Sequence, residues 1–198
     1  MKIILASSSS YRKKLLSRIL NDFECVSPAI DETPQTNEAP SELAMRLSIQ
    51  KAESIARKYP DAWVIGSDQV ALFDGKVLGK PGTLEIAKQQ LFSFSDKKVE
   101  FITGVSLIHL NSQFQEYHSD ITEVHFKKLS TEKVTQYLAI DTPYDCAGSF
   151  KVESFGICLF NSVETKDPTA LEGLPLIALT NLFENAGIDL LSLSRSTI

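Results

Sequence analysis

The chain has 198 residues, of which 43% are hydrophobic, and its formal net charge is −5 at pH 7. This length suits one large domain or two small lobes, and the acidic balance argues against non-specific binding to nucleic acids or anionic membranes. The three scattered cysteines lack CxxC spacing, which argues against a disulfide framework or a thiolate zinc site and predicts a cytoplasmic location. We recognise no signal-peptide pattern and no apolar run of membrane-spanning length.

The N-terminal segment predicts an apolar strand, a turn of four serines and an amphipathic helix. Ser9 or Ser10 suits the N-cap, because its oxygen can accept from a free backbone N–H. Arg12, Lys13 and Lys14 crowd the first predicted turn, where the macrodipole disfavours cations. Free N–H groups, hydroxyls and cations together indicate an anion site, with phosphate as the expected anion. The alternative is a solvated basic face on a surface helix.

Lys51 lies near the apolar face of the next predicted helix, residues 41–59. It stands four residues from both Leu47 and Ile55, so the three side chains share one side of the helix. A lysine at such a position either extends along the edge of the core or meets an anion. Its spacing leaves both interpretations open.

Asp68 interrupts the most strand-like stretch of the chain, residues 62–73. Aspartate disfavours strands and is costly to bury unless it is paired or binds a metal. A carboxylate near the end of a buried strand is a common catalytic placement, although a bend formed with Gly66 and Ser67 would also explain it. A second acidic residue, Glu32, lies in the polar loop before the long helix.

The rest of the chain alternates between predicted strands and helices. Asp74 and Gly75 predict a hairpin turn, and the tight loop that follows carries Lys80, which could equally belong to an ordinary exposed turn. The histidines show no metal-ligand spacing, and no P-loop or GxGxxG motif occurs. The remaining predicted elements are strands at 22–28, 76–78, 98–110, 121–127 and 157–160, helices at 83–94, 130–140 and 175–186, and a loosely held tail after residue 189.

The residues that do not fit the local pattern fall into two sets of opposite charge. The cations are Arg12, Lys13, Lys51, Lys80 and Lys151, and the carboxylates are Glu32 and Asp68. Facing each other across one cleft, the two sets would match a nucleoside triphosphate with Mg²⁺, because cations hold phosphate oxygens while carboxylates hold a hard metal ion. Hydrolysis would then need positioning, charge neutralisation and one oxygen base.

Seven ordered motifs resemble the Maf family of nucleoside triphosphate pyrophosphatases over nearly the whole chain. They are Leu5-Ala-Ser-Ser-Ser-Ser-Tyr-Arg-Lys-Lys-Leu-Leu16, Asp31-Glu32, Lys51-Ala52, Gly66-Ser-Asp-Gln-Val70, Gly79-Lys-Pro81, Thr103-Gly-Val105 and Ala147-Gly-Ser-Phe-Lys151. Each motif alone is weak, but all seven in order are specific. Gln69 and the stretches 146–157 and 173–179 look most like the YceF-type subfamily, which acts on 7-methyl-GTP.

The resemblance implies an α/β, Maf/ITPase-like two-lobed fold: one Maf-type domain over residues 1–198, with an elongated mixed β-sheet, flanking helices and a central cleft. It also implies hydrolysis of 7-methyl-GTP to 7-methyl-GMP and pyrophosphate, which would remove modified nucleotides from the pool. The implied cofactor is a divalent metal cation, Mg²⁺ or Mn²⁺. The expected partners are a small-molecule nucleotide and a second copy in a homodimer, not nucleic acid or a membrane.

The family's motifs also assign roles to individual residues of this chain. Asp68 matches the proton acceptor, and Glu32 with Asp68 matches the acidic metal-side residues. The phosphate cradle corresponds to Ser7, Arg12, Lys13, Lys51 and Lys80, and base selection to Tyr11, Gln69 and Glu153. Two positions depart from the family pattern, because Ser10 stands where most members have proline and Tyr11 where the subfamily more often has tryptophan.

A methylated guanine suits the base-selecting residues chemically. Methylation at N7 gives the ring a positive charge, and stacking on Tyr11 would stabilise it by about 1–2 kcal/mol when desolvated. Glu153 would add attraction, and Gln69 can donate and accept on a base edge. Alternatively, Tyr11 anchors the first helix and Glu153 is a surface carboxylate. The other functions left open are a pyrophosphatase for dTTP or UTP, a nucleotide-sensing regulator of cell division and a phosphomonoesterase.

Overall fold

The computed structural model describes residues 1–195, which form alternating strands and helices. The strands are β1 (Lys2–Leu5), β2 (Glu24–Cys25), β3 (Ala62–Phe73), β4 (Lys76–Leu78), β5 (Lys98–His109), β6 (Phe114–Phe126) and β7 (Phe160–Glu164). The helices are α1 (Ser10–Leu16), α2 (Pro40–Ala56), α3 (Leu84–Phe94), α4 (Thr131–Asp141), α5 (Leu176–Asn185) and α6 (Leu190–Arg195), with 3₁₀ turns at Phe155–Leu159 and Ala170–Glu172. Among the described residues, no helix combines the length and apolar character needed to cross a membrane.

The seven strands form one mixed sheet in the order β2-β1-β3-β5-β6-β7, with β4 paired to β3. Strand β1 pairs in parallel with β2 and β3, whereas β4 pairs antiparallel with β3 and β7 pairs antiparallel with β6. The hairpin between β3 and β4 turns at Asp74 and Gly75, which both have positive φ angles, as the sequence predicts. The predicted α/β class with a mixed sheet is confirmed.

The chain divides into two compact units. The first contains residues 1–69, 103–120 and 167 onward, and the second contains residues 70–102 and 121–166. Three of the unit boundaries fall within long strands: 69/70 in β3, 102/103 in β5 and 120/121 in β6.

The core of the first unit covers both faces of β1. Ile3 and Leu5 belong to one buried apolar cluster, whereas Ile4 and Ala6 belong to another. Successive side chains of a strand point to opposite faces, so a strand buried on both faces needs an uninterrupted apolar run. The N-terminal sequence has such a run, and it ends where the serines begin.

The core of the second unit is aromatic. Phe126 packs at a tilted angle on Phe94 and edge-on against Phe150 and Phe160, and Phe101 packs edge-on against Phe150. The ring centroids of these pairs are between 5.0 and 5.7 Å apart. Edge-to-face packing of this kind adds to the free energy gained by burying the rings.

Three predicted elements differ from the structure. The strand expected at 157–160 is instead a 3₁₀ turn that leads into β7, Phe160–Glu164. Strand β6 begins at Phe114, whereas the predicted strand begins at residue 121. The early start was not predicted because the polar, partly exposed first half of β6 lacks the apolar alternation that marks a strand. Of the tail predicted to be loose after residue 189, residues 190–195 form α6, whose first residue, Leu190, is 8% exposed and packs in the core of the first unit. Residues 196–198 of that predicted tail lie outside the described residues.

Candidate functional site

The serine turn before α1 is closed by its own hydroxyl groups. The backbone N–H of Ser9 donates to Ser7 Oγ at 3.1 Å, and the N–H of Arg12 donates to Ser9 Oγ at 3.3 Å. Ser9 is therefore the N-cap, as predicted. Helix α1 is only seven residues long, so Lys13 and Lys14 lie in its last turn rather than its first. The expectation that three cations oppose the helix dipole was wrong for these two exposed lysines.

Lys51 bridges the two predicted carboxylates. Its Nζ donates to Asp68 Oδ1 at 2.6 Å and lies 3.0 Å from Glu32 Oε1. The side chains of Lys51 and Asp68 are 6% and 9% exposed, whereas that of Glu32 is 59% exposed. The lysine is thus the buried partner of two acids, and the interpretation that it only extends along the core edge is wrong.

Close contact between α2 and β3 brings Lys51 to Asp68. A Cβ atom at Gly66 would lie 2.0 Å from the carbonyl oxygen of Ser48 and 2.8 Å from the backbone N of Ala52. Only a residue without a side chain allows the helix and the strand to approach so closely. Lys51 lies on α2 beside these contacts, and Asp68 lies two residues after Gly66 on β3.

Arg12 is held by a backbone carbonyl group. Its Nε donates to the carbonyl oxygen of Gly173 at 2.8 Å. Burial lowers the pKa of the Arg12 guanidinium, and the charges of Asp68 and Glu32 act in the opposite direction. The first unit therefore brings together Arg12, Lys51, Glu32 and Asp68 as the sequence predicts.

Gln69 contacts the segment before α5. Its Nε2 lies 3.0 Å from the carbonyl oxygen of Ala170, 3.1 Å from that of Leu171 and 3.0 Å from Thr103 Oγ1. An amide group has two hydrogens, so these protein acceptors use its donor capacity. The amide oxygen of Gln69 is the atom left for a ligand.

Two further predicted residues, Lys80 and Glu153, belong to the second unit. Both side chains are exposed, while Tyr11 of the first unit is partly buried. Lys151, which the sequence grouped with the phosphate-binding cations, donates from Nζ to the carbonyl oxygen of Asp141 at 2.9 Å. The structure thus gives Lys151 a contact within its own unit.

Sequence analysis missed the residues that organise the segment before α5. Buried Asp167 accepts from Thr169 N and Oγ1 through Oδ1 and from Ile177 N and Ala178 N through Oδ2. An aspartate two residues before a threonine is a common turn signal, and nothing in the sequence indicates that the turn contacts Arg12.

The donor set of Asp68 and Glu32 fits the implied divalent cation. Both are carboxylates, which hard cations prefer as ligands, and Lys51 places them side by side. Lys51 contacts one oxygen of each, and within the described residues Asp68 Oδ2 and Glu32 Oε2 form no hydrogen bond. These two oxygens are available to hold a metal ion.

A second charged cluster involves a histidine that the sequence did not single out. The ligand atoms of Glu123, His125 and Glu164 in the second unit lie within 4.8 Å of one another. His125 Nε2 is 3.5 Å from Glu164, and Lys98 Nζ already donates to Glu123 at 2.7 Å. These contacts across β6 and its neighbours account for the cluster, in which Glu164 is exposed and Glu123 and His125 are half-buried.

The comparisons with known proteins cover nearly the whole chain. The family model described as "Maf-like protein" matches residues 2–186. A protein of Xanthomonas axonopodis pv. citri is 48% identical over 96% of this chain and 98% of its own length. A protein of Xanthomonas oryzae pv. oryzae is 50% identical over 96% and 98%, and one of Pseudomonas syringae pv. tomato is 47% identical over 94% and 97%. The chain belongs to the Maf family. These three relatives are each named 7-methyl-GTP pyrophosphatase.

Proposed function

We propose that this protein is a 7-methyl-GTP pyrophosphatase that releases 7-methyl-GMP and pyrophosphate. The observation that carries the proposal is the buried Lys51 ammonium between Asp68 and Glu32, with Arg12 near enough for both acids to affect its pKa. Cations and carboxylates in one place suit a polyanion that is bound together with a metal ion. The full-length relatives named for this activity support the same conclusion.

In the proposed reaction, water attacks the α-phosphorus and the bond from that phosphorus to the oxygen bridging to the β-phosphate breaks. Pyrophosphate leaves with this oxygen, and one proton of the water passes to a base. Asp68 is the proposed base, because Lys51 holds Oδ1 at 2.6 Å and thereby fixes the direction of the carboxylate. Oδ2 takes the proton at the stage when Glu32, rather than Asp68, holds the metal ion. Little covalent participation by the protein is needed, so positioning and charge neutralisation dominate.

The phosphate groups would be held by the cations and hydroxyls of the predicted cradle. Arg12 has four N–H groups left on Nη1 and Nη2 after Nε binds Gly173, and these can bind phosphate oxygens in a forked arrangement. Ser7, Lys13, Lys51 and Lys80 are the further proposed contacts. Asp68 and Glu32 would hold Mg²⁺ or Mn²⁺, which supplies charge neutralisation on the phosphate oxygens.

Base selection is proposed for Tyr11, Gln69 and Glu153. The donor capacity of Gln69 is used by the protein, so its amide oxygen would act as an acceptor. Glu153 supplies carboxylate acceptors as well. Guanine presents N–H donors on its Watson–Crick edge, and its N7-methylated form adds a positive charge that favours a carboxylate and an aromatic face. These properties together support a methylated guanine over a pyrimidine.

The direct test is a panel of nucleoside triphosphates with Mg²⁺ or Mn²⁺, assayed separately for pyrophosphate and orthophosphate. We expect the highest kcat/KM for 7-methyl-GTP, pyrophosphate as the released product and loss of activity in EDTA. Equal and negligible rates for every nucleotide would refute the proposal. Tight nucleotide binding in EDTA without hydrolysis would instead identify a sensor, and release of orthophosphate would identify a phosphomonoesterase.

We further propose that the protein is a cytoplasmic homodimer. The scattered thiol groups of Cys25, Cys146 and Cys158 support a reducing compartment. Light scattering on the purified protein measures the oligomeric state, with twice the chain mass of 21.9 kDa as the expected result.

A further inference from the structure

The segment from residue 167 to residue 174, here called the 167–174 loop, contacts α1 at two places. Gly173 accepts from Arg12 Nε at 2.8 Å, and Glu172 accepts from Arg18 Nη2 at 3.0 and 3.2 Å. Gly173 has a φ angle of 102°, which a residue with a side chain rarely adopts. The loop therefore presents its carbonyl oxygen to Arg12 through a backbone conformation that depends on glycine.

Strand β3 places a hydroxyl group at the same carbonyl. Ser67 Oγ lies 2.9 Å from the carbonyl oxygen of Gly173 and 2.8 Å from that of Gly104, and its one hydrogen is donated to one of them at a time. Ser67 is fully buried, as is Thr103, whose Oγ1 donates to the carbonyl oxygen of Ala170 at 3.0 Å. Alternation along β3 explains why Ser67 and Gln69 contact the loop while Asp68, between them, contacts Lys51.

Asp167 fixes the base of the loop. Its 2% exposed carboxylate accepts from the N–H groups of Ile177 and Ala178 at 2.7 and 3.3 Å. These N–H groups belong to the first turn of α5, whose own N-cap residue, Pro175, provides no side-chain bond. Asp167 therefore caps α5 from outside the helix.

Thr169 connects this cap to the far end of the loop. Its Oγ1 lies 2.7 Å from Asp167 Oδ1 and 2.9 Å from the carbonyl oxygen of Leu174, and it accepts from Leu176 N at 2.8 Å. A hydroxyl group has one hydrogen, so Thr169 donates to only one of these two acceptors at a time. Leu174 is the residue after Gly173. The contacts link α5 through Asp167 and Thr169 to Leu174, one residue beyond the carbonyl group that binds Arg12.

We propose that the 167–174 loop is a positioning device for Arg12, and that Ser67, Thr169 and Asp167 act on the phosphate site through the Gly173 carbonyl. Nε bound to this oxygen fixes the plane of the guanidinium group and leaves both Nη atoms for phosphate oxygens. Because a misplaced binding group can cost orders of magnitude in rate, the loop contributes to turnover without touching the substrate. The proposal rests on the phosphate-binding role given to Arg12 above.

The test is a pair of double-mutant cycles. Ser67→Ala and Thr169→Val are each made in the wild-type chain and in Arg12→Ala, and kcat/KM is measured for the best triphosphate. In the wild-type chain each change should lower kcat/KM by about tenfold. In Arg12→Ala each should lower it by less than about twofold, because the group being positioned is gone.

Thr122→Val is the matched control for Thr169→Val. Thr122 is fully buried, and its Oγ1 donates to Thr165 Oγ1 at 3.0 Å in the second unit. Thr122→Val is the same substitution as Thr169→Val and removes a hydroxyl contact outside the 167–174 loop. It should leave kcat/KM unchanged even where it lowers the melting temperature. Equal losses from Ser67→Ala and Thr169→Val with and without Arg12, or no loss in either background, would overturn the proposal.

Binding of inorganic pyrophosphate with Mg²⁺, measured by calorimetry, separates this inference from the proposed function. We expect Ser67→Ala and Thr169→Val to weaken pyrophosphate binding only where Arg12 is present. If the wild-type protein hydrolyses no triphosphate but shows this pattern, the proposed function fails and the positioning role stands. Pyrophosphate binding that is independent of Arg12, or absent, overturns the positioning role.

Discussion

Each of the two units contains a cluster in which one basic side chain lies between two carboxylates. In the first unit, Lys51 contacts Asp68 and Glu32, and in the second, His125 lies 3.9 Å from Glu123 and 3.5 Å from Glu164. The compositions are similar, but the burial is not. Lys51 and Asp68 are 6% and 9% exposed and only Glu32 reaches 59%, whereas all three side chains of the second cluster are between 31% and 69% exposed.

The difference shows why composition alone does not identify a site. Water screens the exposed cluster, so its ion pairs contribute little and can be rearranged. Around Lys51 the protein has replaced water, so each charge depends on its partners and a missing partner is costly. Groups held in this way are also preorganised, which is the condition for electrostatic catalysis.

The largest expected contrast is in turnover. Asp68→Asn should lower kcat by about a thousandfold, because the amide cannot take the proton from water, and should weaken substrate binding far less. Glu123→Gln in the second cluster makes the same chemical change and should leave kcat unchanged. Initial rates of pyrophosphate release, with nucleotide affinity from calorimetry, give both comparisons. A wild-type rate in Asp68→Asn would place the base elsewhere.

The next contrast is in stability. Lys51→Met should lower the free energy of unfolding by about 3 kcal/mol at neutral pH, because it leaves the buried Asp68 carboxylate without its cation. Lys98→Met removes the lysine that binds Glu123 at 2.7 Å on the surface and should change stability within measurement error. Urea unfolding curves measure both variants. Equal losses would mean that burial does not distinguish the two clusters.

Glu38 and Arg46 form another ion pair in the first unit, and we expect its effect on stability to depend on pH. Its carboxylate binds Arg46 through two hydrogen bonds, and this contact, with the N–H of Gln35, lowers the pKa of Glu38 from 4.5 to about 2. A lowered pKa in the folded state stabilises the protein above the ordinary pKa, and this contribution is lost as the pH falls through about 2. The wild-type chain should therefore melt at a higher temperature than Glu38→Gln above pH 5, and the gap should close toward pH 2. A difference in melting temperature that does not depend on pH would show that the ion pair does not stabilise the protein.

The smallest effect is expected at His125. His125→Gln removes the basic group of the exposed cluster and should alter the melting temperature at pH 7 less than Glu38→Gln does. It should not alter kcat/KM. A large loss of stability or activity would show that the second cluster is more than a set of surface ion pairs.

Part of the candidate site could be predicted because some of its residues are of a type that is unusual in their strand or on their helix face. Asp68 is an acid within a strand and Lys51 a cation on an apolar helix face, and the structure brings the two into contact in the candidate site. The residues that support Arg12 are ordinary in their local context, because a buried serine or an aspartate in a turn occurs in most proteins. They therefore could not be recognised from the sequence. Their function lies in contacts between distant parts of the chain, such as Arg12 with Gly173, 161 residues apart, and Gln69 with Ala170, 101 residues apart. Single-residue patterns do not encode such pairs.

Elements were predicted where the apolar pattern was strong, as in β3. The prediction failed where pairing with a neighbour decides the structure, as in β7, whose exposed residues form a strand because β6 supplies their hydrogen bonds. Pairing with neighbouring strands also explains why the first half of β6, residues 114–120, was not predicted as a strand.

Gly66 has a consequence for anyone who redesigns this scaffold. Substituting even alanine there would place a methyl group 2.0 Å from the carbonyl oxygen of Ser48 and push helix α2 outward. The lysine would move with its helix, and the two acids would lose their common counter-ion. Position 66 therefore has to stay free of any side chain, whereas the exposed Glu153, proposed above for base selection, can be varied without disturbing this contact.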